Sequence, residues 1–570
     1  MRFTKTVLHL RGRPFFQLSV GKFLKTLNSF QLCTKRKLMT MKRFIAFLSI
    51  VLASFGCTKE GRFVWEGNNS EEAEIAHDMI VLGERLPDPY SIEYMTKALQ
   101  AVSPHGGRTT LDPTDFYVRF LPKDDAQMQT LIDKGLELMD YPLDYRIVRH
   151  GDWYHDPSLP EEDITWQYAV VPVDFQFPKD IRYERLDDCF IADHNPSTKA
   201  DGIDWDAVEQ EAYRLTGNEG LLIPSTKDSD AKETGQPKGR IAILDPDCDE
   251  EPIGVKGVKV CCNSFVKIST CYTDEEGYYS MERSFSSKVN YRLVFQNTKG
   301  FCQGINLILI PASVSTLGSQ SPTGYSIVVD SNSDRKLFCR CAVNNAGYDY
   351  WTMVKEYGKA LPAPPKDLRI WNVGLVSGEL PLMVHHGVLL DTYEPLSSLL
   401  GNYTPLVKML HPDIVIFNNE AYTYAEFYAL ALHAFAHAGH FGQVGKEWWS
   451  HYSEYVVKSL INTTLKSIYG ERGSEGYSYC EIAEDFAYYC QNVLYKKRYP
   501  DASSVFGTGY WFAPQLLLFL DERGLGLDKL GPLFTDDVCD IETLQDKLLS
   551  YYPSFKGVIN EAFTRYGNQQ

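Results

Sequence analysis

The chain has 570 residues, of which 44% are hydrophobic and 13% aromatic, so it can build several folded cores and is too apolar to be wholly disordered. The formal charge of −17 is uneven: residues 1–56 carry 11 Lys and Arg and no Asp or Glu, leaving 46 basic and 74 acidic residues, a net of −28, in the remainder. A body this acidic argues against nucleic acid as a partner, and a single apolar stretch excludes a polytopic membrane protein.

The apolar stretch has the organisation of an export signal. Residues 41–43 (MKR) are basic, residues 44–55 form an apolar run of 12, and Gly56 and Cys57 follow directly. The run is too short to span a bilayer. A small residue before a cysteine at this place resembles the lipobox of bacterial lipoproteins, in the relaxed form typical of Bacteroidetes.

This resemblance implies that residues 41–56 are a lipoprotein signal peptide and that Cys57 is lipidated. The protein is then expected at the bacterial outer membrane or cell surface, attached to the membrane through its lipid anchor. The alternative is an ordinary cleaved signal peptide in which Cys57 is incidental. Residues 1–40 are interpreted as upstream sequence before the true start at Met41; a mitochondrial transit peptide, which is also basic and acid-poor, is the alternative.

Changes in composition and periodicity predict a multidomain α+β protein. Residues 57–80 are polar and are interpreted as a tether. An N-terminal α/β region of unknown role is predicted at 81–223, followed by a linker rich in Ser, Thr, Gly, Pro and charged residues at 224–239. A β-sandwich is predicted at 240–335 and a mainly helical domain at 340–570.

In the α/β region, alternating apolar residues predict strands and a 3.6-residue period predicts helices. The strands are expected at 116–121 and 168–173, and the helices at 124–140 and 204–215. His150, Asp152 and His155 lie close together in a polar loop bounded by proline. We expect this loop to lie on the surface.

From residue 240 the apolar period changes to two, as in strands. Strands are predicted at 240–244, 258–260, 291–295 and 307–310. Thr273 to Tyr279 is predicted to be a tight turn in which Gly277 supplies a positive φ. Residues 253–296 resemble the carboxypeptidase regulatory-like, transthyretin-like β-sandwich, and this resemblance implies an accessory module without chemistry of its own.

The C-terminal region begins with a predicted helix at 348–358 and short strands at 367–373, 380–384 and 413–417. Thr423-Tyr-Ala-Glu426 has the form of a capping box that opens a helix, and Gly439 is predicted to end it. This helix carries His433 and His437, four residues apart and therefore on one face. Two imidazoles so placed can bind one zinc ion.

The string His433-Ala-Phe-Ala-His437 resembles HExxH, the signature of zinc metallopeptidases called zincins. In that family the Glu of the motif is the general base. Ala434 stands at its position here, so the resemblance implies a metal site that has lost its base.

A third ligand is predicted on a later helix. Glu484-Asp-Phe-Ala487 resembles the E-G-F-A segment that supplies the third ligand in many gluzincins, a class of zincins, with Asp485 in place of Gly. Glu484 is therefore assigned as the third ligand. Glu481 is the alternative, although Ser478-Tyr-Cys-Glu481 has capping-box form and would direct Glu481 onto the Ser478 amide.

Together these motifs make residues 340–570 resemble a degenerate gluzincin-type metallopeptidase domain with zinc as its candidate cofactor. The predicted function is that of an exported, lipid-anchored, weak or inactive metallopeptidase homologue that binds a peptide or protein ligand. Two alternatives stay open: an active zinc metallopeptidase with an unusual base, and a structural or adhesion lipoprotein in which the histidine spacing is accidental. The 13 cysteines form no regular framework and are predicted to be mostly buried and unpaired.

Overall fold

The computed structural model describes residues 78–567 apart from 104–109, 161–162, 196–197, 199–201, 224–233, 249–250, 305–311, 374–377, 389–411, 418–421 and 463–466. Several sequence predictions fall outside the described residues. They are the upstream segment at 1–40, the signal peptide at 41–56, the lipidation site at Cys57 and the strand at 307–310. Most of the tether at 57–80 and most of the linker at 224–239 also lie outside. None of the helices in the described part has the length and apolar character needed to cross a bilayer.

The N-terminal region is mixed α and β, as predicted. Its elements are β1 Val81–Arg85, α1 Ile92–Val102, β2 Asp115–Leu121, α2 Asp125–Asp133, β3 Tyr145–Arg149, β4 Gln167–Pro172, β5 Arg182–Cys189 and α3 Trp205–Leu215. Strands β4, β2 and β5 form an antiparallel sheet in that order, and β1 pairs with β3. The predicted strands at 116–121 and 168–173 and the helix at 204–215 are confirmed to within one or two residues.

The predicted helix at 124–140 is too long. Helix α2 ends at Asp133, and Gly135 follows with a φ of +73°. Met139, inside the predicted helix, instead forms a β-bridge with Tyr168. The apolar residues after Gly135 therefore belong to an extended segment that packs on the sheet.

The middle region is built of strands. They are β6 Lys238–Ile243, β7 Ile253–Gly254, β8 Val258–Ser264, β9 Lys267–Tyr272, β10 Tyr278–Ser280, β11 Val289–Asn297, β12 Phe301–Gly304, β13 Val314–Gln320 and β14 Ile327–Val329. Gly277 has a φ of +81°, and a Cβ there would lie 2.1 Å from the carbonyl oxygen of Ile241. The predicted turn is thus confirmed, and its glycine is required by close packing as well as by conformation.

The C-terminal region is mainly helical. Its elements are α4 Arg335–Tyr357, β15 Leu368–Val373, β16 Gly378–Leu380, β17 Ile414–Phe417, α5 Tyr424–Asn462, α6 Tyr477–Arg498, α7 Gln515–Asp521, α8 Leu527–Leu530, α9 Ile541–Tyr551 and α10 Lys556–Tyr566. Helix α4 begins well before the predicted 348–358. Its first half buries Arg340, Asn344 and Asn345 against the middle region, for example through Arg340 Nη1, which donates to the carbonyl of Val314 at 2.9 Å.

One eight-stranded sheet extends from the middle region into the C-terminal region. Its order is β16-β17-β15-β12-β11-β8-β9, with β13 also paired to β11. The link is the parallel pairing of β12 with β15, in which Phe301 lies opposite Leu368. Strand β16 forms the far edge and runs antiparallel to β17, so Glu379 in β16 is carried to the side of the sheet next to helix α5.

Helix α5 opens with the predicted capping box: Thr423 Oγ1 accepts from the Glu426 amide at 3.3 Å, and Glu426 Oε2 accepts from the Thr423 amide at 2.8 Å. The predicted end at Gly439 is wrong, because the helix runs past it to Gly445, a kink beyond which a second helical part of α5 reaches Asn462. A Cβ on Gly439 would lie 2.5 Å from the carbonyl oxygen of Pro362. The glycine therefore permits close packing; the non-helical residue is Gly445, with φ 81° and ψ 175°.

Two other local predictions need correction. Helix α6 begins at Tyr477 after Gly476, with no side-chain cap, so Ser478 and Glu481 form no capping box. Asp152, expected in a surface loop, is largely buried: it pairs with Lys336 at 2.7 Å and Arg340 at 3.2 Å and so joins the N-terminal region to α4. Most cysteines of the described part are buried, as predicted.

Candidate metal centre

Helices α5 and α6 bring the three predicted ligands together. Nε2 of His433 and Nε2 of His437 each lie 3.5 Å from Oε2 of Glu484. The two histidines share a face of α5 because they are four residues apart, and Glu484 faces them from α6, which packs along α5. The separation of the three residues in sequence is thus bridged by helix packing.

The donor atoms of this cluster are buried and lack hydrogen bonds. His433, His437 and Glu484 are 2%, 0% and 1% exposed. Within the part of the chain that the structure describes, His433 Nε2, His437 Nε2 and Glu484 Oε2 form no hydrogen bond, and their 3.5 Å approaches are ion-pair distances. Buried polar atoms are almost always paired because an unpaired one costs about 1–3 kcal/mol. Imidazole nitrogens and carboxylate oxygens are both zinc ligand types, and the two helices bring two of the first and one of the second close together here.

Glu379 is a fourth member of the cluster. Its Oε1 lies 2.8 Å from Nδ1 of His433, and it is 6% exposed. One donor atom from each of Glu379, His433 and His437 lies within 4.8 Å of the others, so this buried group could hold a metal ion. A carboxylate on Nδ1 also fixes the tautomer in which Nε2 carries the lone pair, as is usual for metal-binding histidines.

The charges of the cluster are strongly coupled. Burial opposes a charged imidazole at His433, but Glu379 and Glu484 outweigh it and raise the pKa of His433 to about 9. Burial likewise opposes an ionised Glu484, yet His437 and His433 lower the pKa of Glu484 to about 2. The surroundings of His433 therefore favour its positively charged form.

Aromatic rings enclose the cluster. Tyr488 stacks on His433 with ring centroids 4.1 Å apart, and Tyr452 stacks on His437 at 5.6 Å. Tyr452 also donates to Oε1 of Glu484 at 2.9 Å, which leaves Oε2 directed at the histidines. The rings hold the candidate ligands in place and exclude water from them.

The alternative ligand Glu481 and two other residues of the motif helices lie outside the cluster. Glu481 is 3.4 Å from Arg472 and is not part of the cluster, so the structure favours Glu484 over this alternative. Ala434 is fully buried. His440 lies among aromatic rings, including Phe486 at 5.0 Å, where burial and His437 lower its pKa to about 3.

Sequence reasoning missed Glu379. It precedes a short apolar run at the edge of a sheet, and no fixed spacing connects it to the histidine helix. The available signal was a single acidic residue next to a predicted strand, which alone indicates nothing. Comparison of the chain with protein-family models, with curated proteins and with solved structures found no match.

Proposed function

We propose that the C-terminal region binds one divalent metal ion, with zinc as the first candidate, and that it does not hydrolyse peptides. The observation that supports metal binding is the approach of His433 Nε2 and His437 Nε2 to Glu484 Oε2 at 3.5 Å each, between buried atoms that form no hydrogen bond in the described part of the chain. Imidazole nitrogen and carboxylate oxygen are ordinary zinc ligands. The site would then contribute to folding stability, because binding to the folded state alone stabilises it.

The absence of hydrolysis rests on a missing proton acceptor and on a closed site. A bound zinc ion would supply Lewis-acid polarisation of a substrate oxygen, but Ala434, where HExxH has its base, offers only a buried methyl group. Loss of a general base costs about 10²–10⁴-fold in rate. The ligands and Glu379 are at most 6% exposed, whereas a catalytic zinc site keeps one position open to substrate.

A working metallopeptidase is the second candidate, and one observation favours it. Oε2 of Glu379 forms no hydrogen bond with any residue that the structure describes, so this carboxylate oxygen is an acceptor near the histidines. Its Oε1, however, is held by Nδ1 of His433, on the opposite side of the ring from Nε2. Glu379 is therefore better placed to orient His433 than to take a proton from a water that a bound metal would activate.

Export and anchoring are part of the same proposal. The basic segment at 41–43, the apolar run at 44–55 and the Gly56-Cys57 pair support a lipid-anchored protein at the bacterial outer membrane or cell surface. At that location the protein would bind a peptide or protein ligand rather than nucleic acid, because its body is strongly acidic. Mass spectrometry of the mature N-terminus tests this part: an unmodified N-terminus downstream of Cys57 would overturn it.

Metal content tests the site. The purified protein is loaded with zinc, passed over a desalting column and analysed by inductively coupled plasma mass spectrometry. We expect about one zinc per chain, lost in His437→Ala and strongly reduced in Glu484→Gln. His440→Leu is the matched control, since His440 is a buried histidine of the same helix outside the cluster.

Two results would overturn the proposal. A wild-type protein that retains no zinc, manganese, iron or cobalt would leave the histidine spacing accidental and favour a structural or adhesion lipoprotein. A wild-type protein that cleaves peptides at ordinary enzyme rates, with cleavage stopped by a chelator, would favour the second candidate.

A further inference from the structure

A crevice lies where the N-terminal region meets the middle strands. The residues that line it are distant in sequence from those of the metal centre. It has a volume of about 470 Å³, within the range of about 300–1,000 Å³ typical of small-molecule sites. One wall is formed by β3 and the residue that follows it, and the other by the β8–β9 turn and strands β11 and β13. The polar groups that matter are Tyr145, Arg146, His150, Lys288, Asn290 and Ser319.

The lining of this crevice differs from the rest of the protein in charge. Arg146 and Lys288 contribute two positive charges, and none of the described residues that line the crevice is Asp or Glu. The whole chain carries 74 acidic and 57 basic residues, so an acid-free lining departs from its surroundings. Among the described residues, Arg146 pairs with Glu84 at 2.9 Å, and both side chains are 60% exposed. Such a pair is weak and can be exchanged for a ligand carboxylate.

Uncharged hydrogen-bonding groups stand beside the two cations. Asn290 and Ser319 lie opposite each other on β11 and β13, so an amide and a hydroxyl point from neighbouring positions of one sheet. Burial and the charge of Arg292 lower the pKa of His150, which is therefore neutral near pH 7. A neutral imidazole, an amide and a hydroxyl each donate and accept, which suits ligand hydroxyl groups.

The floor of the crevice is apolar and rigidly held. Phe265, at the β8–β9 turn, has a φ of +49°, a strained conformation for a bulky side chain. It packs on Tyr213 of α3 with ring centroids 5.8 Å apart. Leu143, Ile147 and Leu221 complete the apolar surface. The strain is thus retained by packing between the two regions, at the place where the crevice forms.

We propose that this crevice binds a small organic anion that carries a carboxylate and several hydroxyl groups, of which a uronic acid is the simplest example. Arg146 and Lys288 bind the carboxylate, Asn290, Ser319 and His150 bind hydroxyl groups, and the apolar floor receives the less polar face of the ligand. The site is independent of the metal centre and does not rest on the function proposed for it.

The test is calorimetric titration of the full chain with glucuronate, with glucose, and with inorganic phosphate as separate arms. We expect glucuronate to bind and the two other compounds to bind much more weakly or not at all. Arg146→Ala and Lys288→Ala are each expected to weaken glucuronate binding about tenfold or more, because a hydrogen bond to a charged group is worth about 1.5–3 kcal/mol.

Arg214→Ala is the matched control. Arg214 is 54% exposed and pairs with Glu211 at 3.1 Å, so the substitution removes the same charge from a similarly exposed arginine outside the crevice. Equal binding of glucose and glucuronate would overturn the role of the cations. Binding of phosphate in preference to glucuronate would overturn the ligand class. Absence of glucuronate binding at millimolar concentration, in protein that melts cooperatively, would overturn the site.

Discussion

Substitution of Glu379 gives the sharpest test of how the metal centre is organised. Oε1 of Glu379 lies 2.8 Å from Nδ1 of His433, and both side chains are buried. Glu379→Gln keeps an oxygen that accepts from Nδ1 but removes the charge, whereas Glu379→Ala removes both. Loss of such an outer partner typically weakens metal binding 10–100-fold, which is about 1.4–2.7 kcal/mol. We expect Glu379→Gln to weaken metal binding about 10-fold and Glu379→Ala to weaken it about 100-fold.

The assay is competition for zinc with a chromophoric chelator, together with metal content per chain. Glu481→Gln is the control, because Glu481 is a carboxylate of α6 that is equally buried but pairs with Arg472 outside the cluster. If Glu379→Ala binds zinc as tightly as the wild type, the orienting role of Glu379 is wrong. If Glu379→Ala loses all metal while Glu484→Gln retains it, Glu379 is a direct ligand and the assignment of Glu484 fails.

Three further predictions concern stability. Zinc at about 100 times its dissociation constant should stabilise the fold by about 2.7 kcal/mol, seen as a higher melting temperature that a chelator reverses and that His437→Ala lacks; an unchanged melt would contradict a site formed only in the folded state. Gly439→Ala should lower the free energy of unfolding by about 1–3 kcal/mol, since the new Cβ meets the Pro362 carbonyl oxygen at 2.5 Å. Gly557→Ala, with nothing within 4 Å of its Cβ, should not lower it. Equal effects of the two substitutions in urea unfolding would refute the packing argument. Burial opposes ionisation of Asp152, but Arg340 and Lys336 prevail and lower its pKa below 3.8, so its contribution is complete above that value and is lost as the pH falls through the lowered pKa. Asp152→Asn should therefore cost roughly 2–4 kcal/mol at pH 7 and progressively less in acid, a trend that urea unfolding at several pH values checks against the surface variant Glu93→Gln.

The sequence was sufficient for the parts of the site that depend on local geometry. The i, i+4 spacing placed His433 and His437 on one helix face, and the capping box located the start of α5 at Tyr424. Glu484 was found through its resemblance to a known segment, and α6 does bring it to the histidines. Each of these inferences uses residues within one or two helical turns of each other.

The parts that the sequence could not provide depend on neighbours distant in the chain. Gly439 resembled a helix end because glycine is favoured at that position. In the structure, glycine is required there because the carbonyl of Pro362 packs too close to leave room for a Cβ. Ser478 and Glu481 have the spacing of a capping box, yet the Glu481 carboxylate forms an ion pair with Arg472 instead. Helix α4 is buried on several sides, so its first half lacks the polar and apolar faces by which a surface helix is recognised.

The eight-stranded sheet has a consequence for the order in which the protein folds. The β8–β9 and β11–β12 pairs join strands adjacent in sequence, and such local pairs form fastest. The parallel pairs β12–β15 and β15–β17 close long loops, so they are expected to form late. Strand β16, which carries Glu379, pairs only after β17 is in place. The metal centre would then be completed in the final step of folding, and zinc should slow unfolding while leaving the early refolding phases unchanged.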